Sequence, residues 1–126
     1  MKGSYRYRVY YEDTDAGGIV YHANYLKFCE RARSDYFYQQ DASPQRGDKH
    51  FVIISMEAKF KASGRLGDML SVTLDVVHIS KASMKLHQKV FCGDKLLFEM
   101  DGVYVLTNKE GKPVRLSDED IKLLKP

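Results

Sequence analysis

Tryptophan is absent from the chain, cysteine occurs twice and proline three times in 126 residues. Each scarcity excludes something. With so little proline and no repeat or low-complexity stretch, nothing reads as an interdomain linker. The cysteines, Cys29 and Cys92, are too few for a disulfide framework and lack metal-ligand spacing. Reduced thiols, a cytoplasmic setting and no bound metal are the expectation. No apolar run approaches the roughly 18 residues that would suggest a membrane span. The opening MKGSYRYRVYYEDTD carries no apolar core of a secretory signal. Blocks of five like charges, zinc-finger spacing and aromatic RNA-binding motifs are also missing, so nucleic acid is not an expected partner. A net charge of +3 is mild and suits an anionic, phosphate-bearing ligand.

What is present is an ordinary globular balance, 44% hydrophobic and 29% charged, and residues 1–126 read as a single domain. In 4–11, Tyr5, Tyr7, Val9 and Tyr11 alternate with Arg6 and Arg8, a strand pattern. Residues 25–40 place Tyr25, Phe28, Cys29, Ala32 and Tyr36 at helical spacing, with Asn24 as the expected N-cap. A loop is expected over 41–50. Four strands follow, at 52–62, 70–79, 84–92 and 95–106, separated by the turn segments SGRLGD, SKAS and CGD. In the first of these, Val52, Ile54, Met56, Ala58, Phe60 and Ala62 share a face. Ser117 then caps a short terminal helix. The expected architecture is α+β: one long helix across a single antiparallel sheet of about five strands, plus the short C-terminal helix. Ile53, Val77, Ile79, Phe91, Leu97, Val103 and Val105 fall on or near the face away from the helix, and so many apolar positions predict oligomerisation.

Between the first strand and the long helix lies YYEDTDAGGIVYHANYLKFCERAR at 10–33. Asp13, Asp15, Gly18, Val20, His22 and Tyr25 fill a long, specific pattern. It resembles the signature of the 4-hydroxybenzoyl-CoA thioesterase-like branch of the hot-dog superfamily, and most nearly its YbgC-type acyl-CoA thioesterases. FKASGRLGDML at 60–70 resembles that family's turn between two strands. The resemblance implies a hot-dog fold, a homodimer or a tetramer of two dimers, active sites at the dimer interface, and metal-free, cofactor-free hydrolysis of an acyl-CoA thioester. It also raises acyl carrier protein as a partner.

The chemistry can be weighed residue by residue. Thioester hydrolysis needs a base or nucleophile, a donor for the developing oxyanion, and a site shielded from bulk water. Asp15 fits the first need as general base or as nucleophile through a mixed anhydride, and the sequence leaves both open. Its ordinary reading is an Asx-turn acid, and the resemblance lifts it above that. Asp13 reads as a turn or cap residue. The helix start near His22 offers unpaired N–H groups for the oxyanion, while the His22 side chain is either catalytic or a satisfied helix-start residue. Gly18 permits close backbone approach to substrate. Tyr25 reads as packing, with its hydroxyl at the pocket edge. Lys59, Lys61 and Arg65 are the candidate cations for the CoA phosphates, against the alternative of a solvated strand face. His50, His78 and His87 read as surface or strand residues without partners at ligand spacing, and Cys29 as core. Two competing functions stand beside hydrolysis: an acyl-carrier or envelope-complex interaction module with little turnover, and a hot-dog dehydratase, against which the DTDxxG segment argues.

Overall fold

A computed structural model describes residues 1–125. The order is β1 (Lys2–Arg8), a 3-10 turn (Tyr11–Asp13), α1 (Asn24–Tyr38), β2 (Gln45–Arg46), β3 (Lys49–Phe60), β4 (Met69–Ile79), β5 (Ser83–Cys92), β6 (Lys95–Thr107) and α2 (Asp118–Leu124). The strands form one antiparallel sheet in the order β1-β4-β5-β6-β3-β2. Six strands stand where about five were expected, because β2 is a two-residue piece inside the expected 41–50 loop. Such a short segment has no periodicity to read.

The long helix lies across one sheet face. Its apolar stripe, Tyr25, Phe28, Cys29, Ala32, Tyr36 and Phe37, is buried against Leu70, Val72, Leu86, Val90, Phe98 and Met100. Phe28 is fully enclosed, so truncating it to alanine would cost about 3–5 kcal/mol. One polar tie crosses this core. Gln88, also fully buried, donates from Nε2 to the Cys29 carbonyl and accepts on Oε1 from Arg33 Nη1 at 2.8 Å. Both ends of a buried amide are thereby satisfied, as burial requires.

Three sheet irregularities overturn part of the expected facing. A register shift between Ile53 and Ser55 leaves Ile54 unpaired, so Phe51 and Ile53 share the helix-facing side with Met56, Ala58 and Phe60, while Val52 faces away. A second shift at Val77 turns Ile79 inward, opposite buried Met84, and leaves Val77 52% exposed. A third, at Leu97, buries that side chain against the 62–64 loop. Each extra residue inverts the alternation beyond it. The first strand also stops early. It ends at Arg8, and Tyr11 opens the 3-10 turn at 81% exposure rather than joining Tyr5 and Tyr7 against the core.

At the other end, Ser117 caps α2 as expected: its Oγ accepts from the Asp120 N–H, and Asp120 Oδ2 accepts from the Ser117 N–H, both at 3.0 Å. Arg46 Nε donates to Asp120 Oδ1 at 3.0 Å, tying β2 to α2.

Candidate active site

The chain from the 3-10 turn into α1 is built on hydrogen bonds that sort its two aspartates. Asp13 is buried and satisfied. Its Oδ2 accepts from the Tyr10 N–H at 2.9 Å and its Oδ1 from Asn24 Nδ2 at 3.0 Å, while its carbonyl accepts from the Tyr21 N–H. Asn24 is therefore not the N-cap. Ala23 holds that position without a side-chain cap, and Asn24, the first helical residue, reaches back to Asp13 instead.

Asp15 heads a tight hairpin closed by its own N–H on the Ile19 carbonyl at 2.9 Å, with a Thr14–Val20 bridge behind it. The turn needs Gly18, whose φ of 78° is left-handed. Both backbone groups of Gly18 serve the fold: its N–H donates to the Asp15 carbonyl and its carbonyl accepts from the Leu66 N–H. Asp15 Oδ1 accepts from the Gly17 N–H at 2.8 Å, an Asx turn. Its Oδ2 accepts no hydrogen bond among the described residues, and the side chain is exposed. One oxygen is pinned and the other is available.

Asp15 borders a cleft of about 210 Å³ that is also lined by Ile19, Val20, His22, Tyr25, Phe60, Ala62 and Ser63. The His22 ring lies 4.4 Å from the Tyr21 ring and meets the Phe60 edge at 6.2 Å. Among the described residues the backbone N–H groups of His22 and Ala23 have no acceptor, and no side chain caps the helix. A helix start left this way carries donors and the positive dipole end, an arrangement suited to a developing oxyanion. Tyr25 is 3% exposed, stacks on Phe98 at 5.1 Å, and accepts the Gly64 N–H on its hydroxyl at 3.0 Å. Burial raises its phenol above the ordinary value. Asp15, His22 and Tyr25 are thus brought together.

The cations are distributed differently. Arg65 pairs its backbone with Ile19 beside the cleft. Lys59 is exposed on the opposite sheet face, 4.0 Å from Glu57, and Lys61 is exposed between Phe60 and Ala62. His87 has partners the sequence did not reveal: Nδ1 lies 2.9 Å from Asp101 Oδ1 and Nε2 lies 3.6 Å from Glu99 Oε2, across neighbouring strands. Cys29 is core, and burial pushes its thiol up to about 12, which leaves it inert. Sequence reasoning placed Phe60 only on a strand face and missed Ser63. Nothing local distinguishes either, since their place depends on a loop packing against the Asp15 hairpin.

A family model, that of the Thioesterase superfamily, matches residues 17–99. The chain belongs to that superfamily. Within it, the chain is 46% identical over 87 residues to "Acyl-CoA thioesterase YbgC" of Helicobacter pylori, covering 69% of this chain and 65% of that protein. It is 38% identical over 104 residues to "Acyl-CoA thioester hydrolase YbgC" of Escherichia coli O157:H7, covering 79% and 76%. The match thus spans just under two thirds of the length of the Helicobacter relative. Among solved structures, a "Probable Thioesterase" from Bartonella henselae superposes with a TM-score of 0.87 at 30% identity, over 93% of this chain and all of that one. The hot-dog fold and the YbgC-type likeness expected from residues 10–33 both hold.

Proposed function

We propose that this superfamily member hydrolyses acyl-CoA to the free acid and CoA, with Asp15 delivering the attack on the thioester carbonyl. One observation carries the reading: a carboxylate with a free oxygen and an uncapped helix start border the same small cleft. Asp15 either takes a proton from the attacking water and returns it to the departing CoA thiolate, or adds to the carbonyl itself, expelling CoA thiolate to leave a mixed anhydride. Water then cleaves that anhydride to the free acid and the Asp15 carboxylate, with a proton of that water going to the thiolate. The His22 and Ala23 N–H groups stabilise the oxyanion, and the His22 ring orients the reactants. Phe60 and Tyr25 form the apolar wall that limits water. Arg65 is the cation proposed for the CoA phosphates, since its backbone pairs beside the cleft, whereas Lys59 lies on the opposite sheet face.

The protein acts as a homodimer, or as a tetramer of two such dimers. Among the described residues β2 pairs only with Lys49 and His50, so most of the outer edge of β3 has no neighbouring strand there. Ile53, Ile54, Met56 and Phe60 on that strand are 41–61% exposed. A long exposed apolar edge of this kind is a template for pairing with another chain, which favours a second copy as its cover. The function is tested by following thiol release from a panel of straight-chain and aromatic acyl-CoAs. Turnover of at least one is expected. Binding of acyl carrier protein without turnover of any thioester would instead favour an interaction module.

A further inference from the structure

We infer that Tyr25 is a positioning residue whose hydroxyl holds the Asp15 hairpin in place through Gly64 rather than touching substrate, while its ring stays part of the cleft wall. The inference rests on the reading of Asp15 given above. The Gly64 N–H donates to the Tyr25 hydroxyl at 3.0 Å in a buried setting. The Gly64 carbonyl in turn accepts from the Val20 N–H at 2.9 Å. Ile19 bridges Arg65, and the Gly18 carbonyl accepts from the Leu66 N–H. The same hairpin closes on Asp15 through the Asp15 N–H to the Ile19 carbonyl. The 64–66 loop is thus the platform on which the Asp15 turn rests, and Tyr25 pins that platform to the first turn of α1.

The geometry leaves the phenol little freedom to do anything else. The ring is stacked on Phe98 with an interplanar angle of 6° and packs edge-on to Phe60 at 6.1 Å. The hydroxyl's second contact is the Ala62 carbonyl, at a long 3.5 Å. Gly64 fits because it is glycine: a Cβ there would lie 3.1 Å from Val20 Cγ2 and 3.2 Å from Leu97 Cδ1. Platform, hairpin and helix start are packed without slack, so one hydroxyl couples the attacking carboxylate to the oxyanion donors two and three residues before it. Positional errors of about 1 Å cost roughly a hundredfold in rate, so a slackened platform has a measurable consequence.

Tyr25→Phe keeps the ring and removes only the hydroxyl. We expect kcat to fall about tenfold, in line with a sub-ångström loss of positioning. KM should stay within about twofold, since no substrate contact is lost. The pH–rate profile should keep its shape, and the Gly64 and Val20 amides should exchange faster with deuterium. Gly64→Ala, which presses on Val20 from the other side, should give the same split and serves if Tyr25→Phe folds poorly. Wild-type kcat in both variants would overturn the inference. So would a raised KM at unchanged kcat, which marks a substrate contact, or loss of the basic limb, which marks a proton donor. Asp15→Asn is assayed alongside. If it retains activity, the reading of the site fails. If it is inactive while both positioning variants are normal, only the present inference fails.

Discussion

Asp13 and Asp15 stand two residues apart in one connection, and the fold treats them in opposite ways. The turn around Asp13 buries its carboxylate to 2% exposure and fills both oxygens with N–H donors from Tyr10 and Asn24. The hairpin around Asp15 leaves the carboxylate exposed, with one oxygen held by Gly17 and the other free. A carboxylate whose oxygens are occupied organises the backbone and has no oxygen left for a substrate. One that is half held is oriented and still able to react. The same contrast runs along α1: its middle is closed by the Gln88–Arg33 tie, while its start keeps unused donors.

The contrast can be broken or sharpened by substitution. Asp13→Ala leaves Asn24 Nδ2 and the Tyr10 N–H without an acceptor, and unsatisfied buried groups cost about 1–3 kcal/mol each. A loss of about 3 kcal/mol in urea unfolding is expected, with activity falling only as far as the helix start shifts. An unchanged midpoint would put Asp13 in the same class as Asp15. Asn24→Ala isolates half of that clamp and should cost about 1–2 kcal/mol, again by urea midpoint.

Asp120 is a second structural carboxylate and tests whether such groups share a pH signature. Burial pushes its carboxyl up, but hydrogen bonds from Ser117 and Arg46 outweigh burial and hold it below the ordinary 3.8. A carboxyl lowered by folding adds stability above its unfolded value, and that stability is lost as pH falls through the folded value. Asp120→Asn should therefore cost about 1 kcal/mol at neutral pH, the usual worth of a lost cap. The difference from wild type should shrink as pH drops below 3.8. A gap that widens in acid would reverse the sign. The smallest effects belong to the cations. Arg65→Ala should raise KM for acyl-CoA several-fold, as loss of one exposed charge contact of about 1 kcal/mol implies. Lys59→Ala, on the far sheet face, should change KM by less than about twofold. Equal effects would erase the distinction drawn between the two faces.

Much of this was legible in the sequence, for identifiable reasons. The long helix and four of the strands announce themselves because their side-chain periods differ, and Ser117 with Asp120 forms a local cap. The faces of β3 before Ser55 and of β4 beyond Val77 were misassigned because a bulge adds one residue without any residue type that marks it. Asn24 looked like a cap because Asn usually is one, and only the buried Asp13 explains its reversal. Asp15 stood out by pattern, but its free oxygen and its cleft did not. Those depend on Phe60, Ser63 and Gly64, some 45 to 49 residues away in the chain. Contacts formed across such separations leave no local trace.

The most direct test of the central claim is thiol release by Asp15→Asn, measured against wild type and against Asp13→Asn with the thermal midpoint of each. Asn keeps the Asx turn on Gly17 and removes the reactive charge. The expected result is a Tm within a few degrees of wild type and kcat lowered by about 10³, the mid-range for losing a general base. Asp13→Asn should show the reverse, a lower Tm with most of its turnover intact. Wild-type turnover in a folded Asp15→Asn protein would contradict the account.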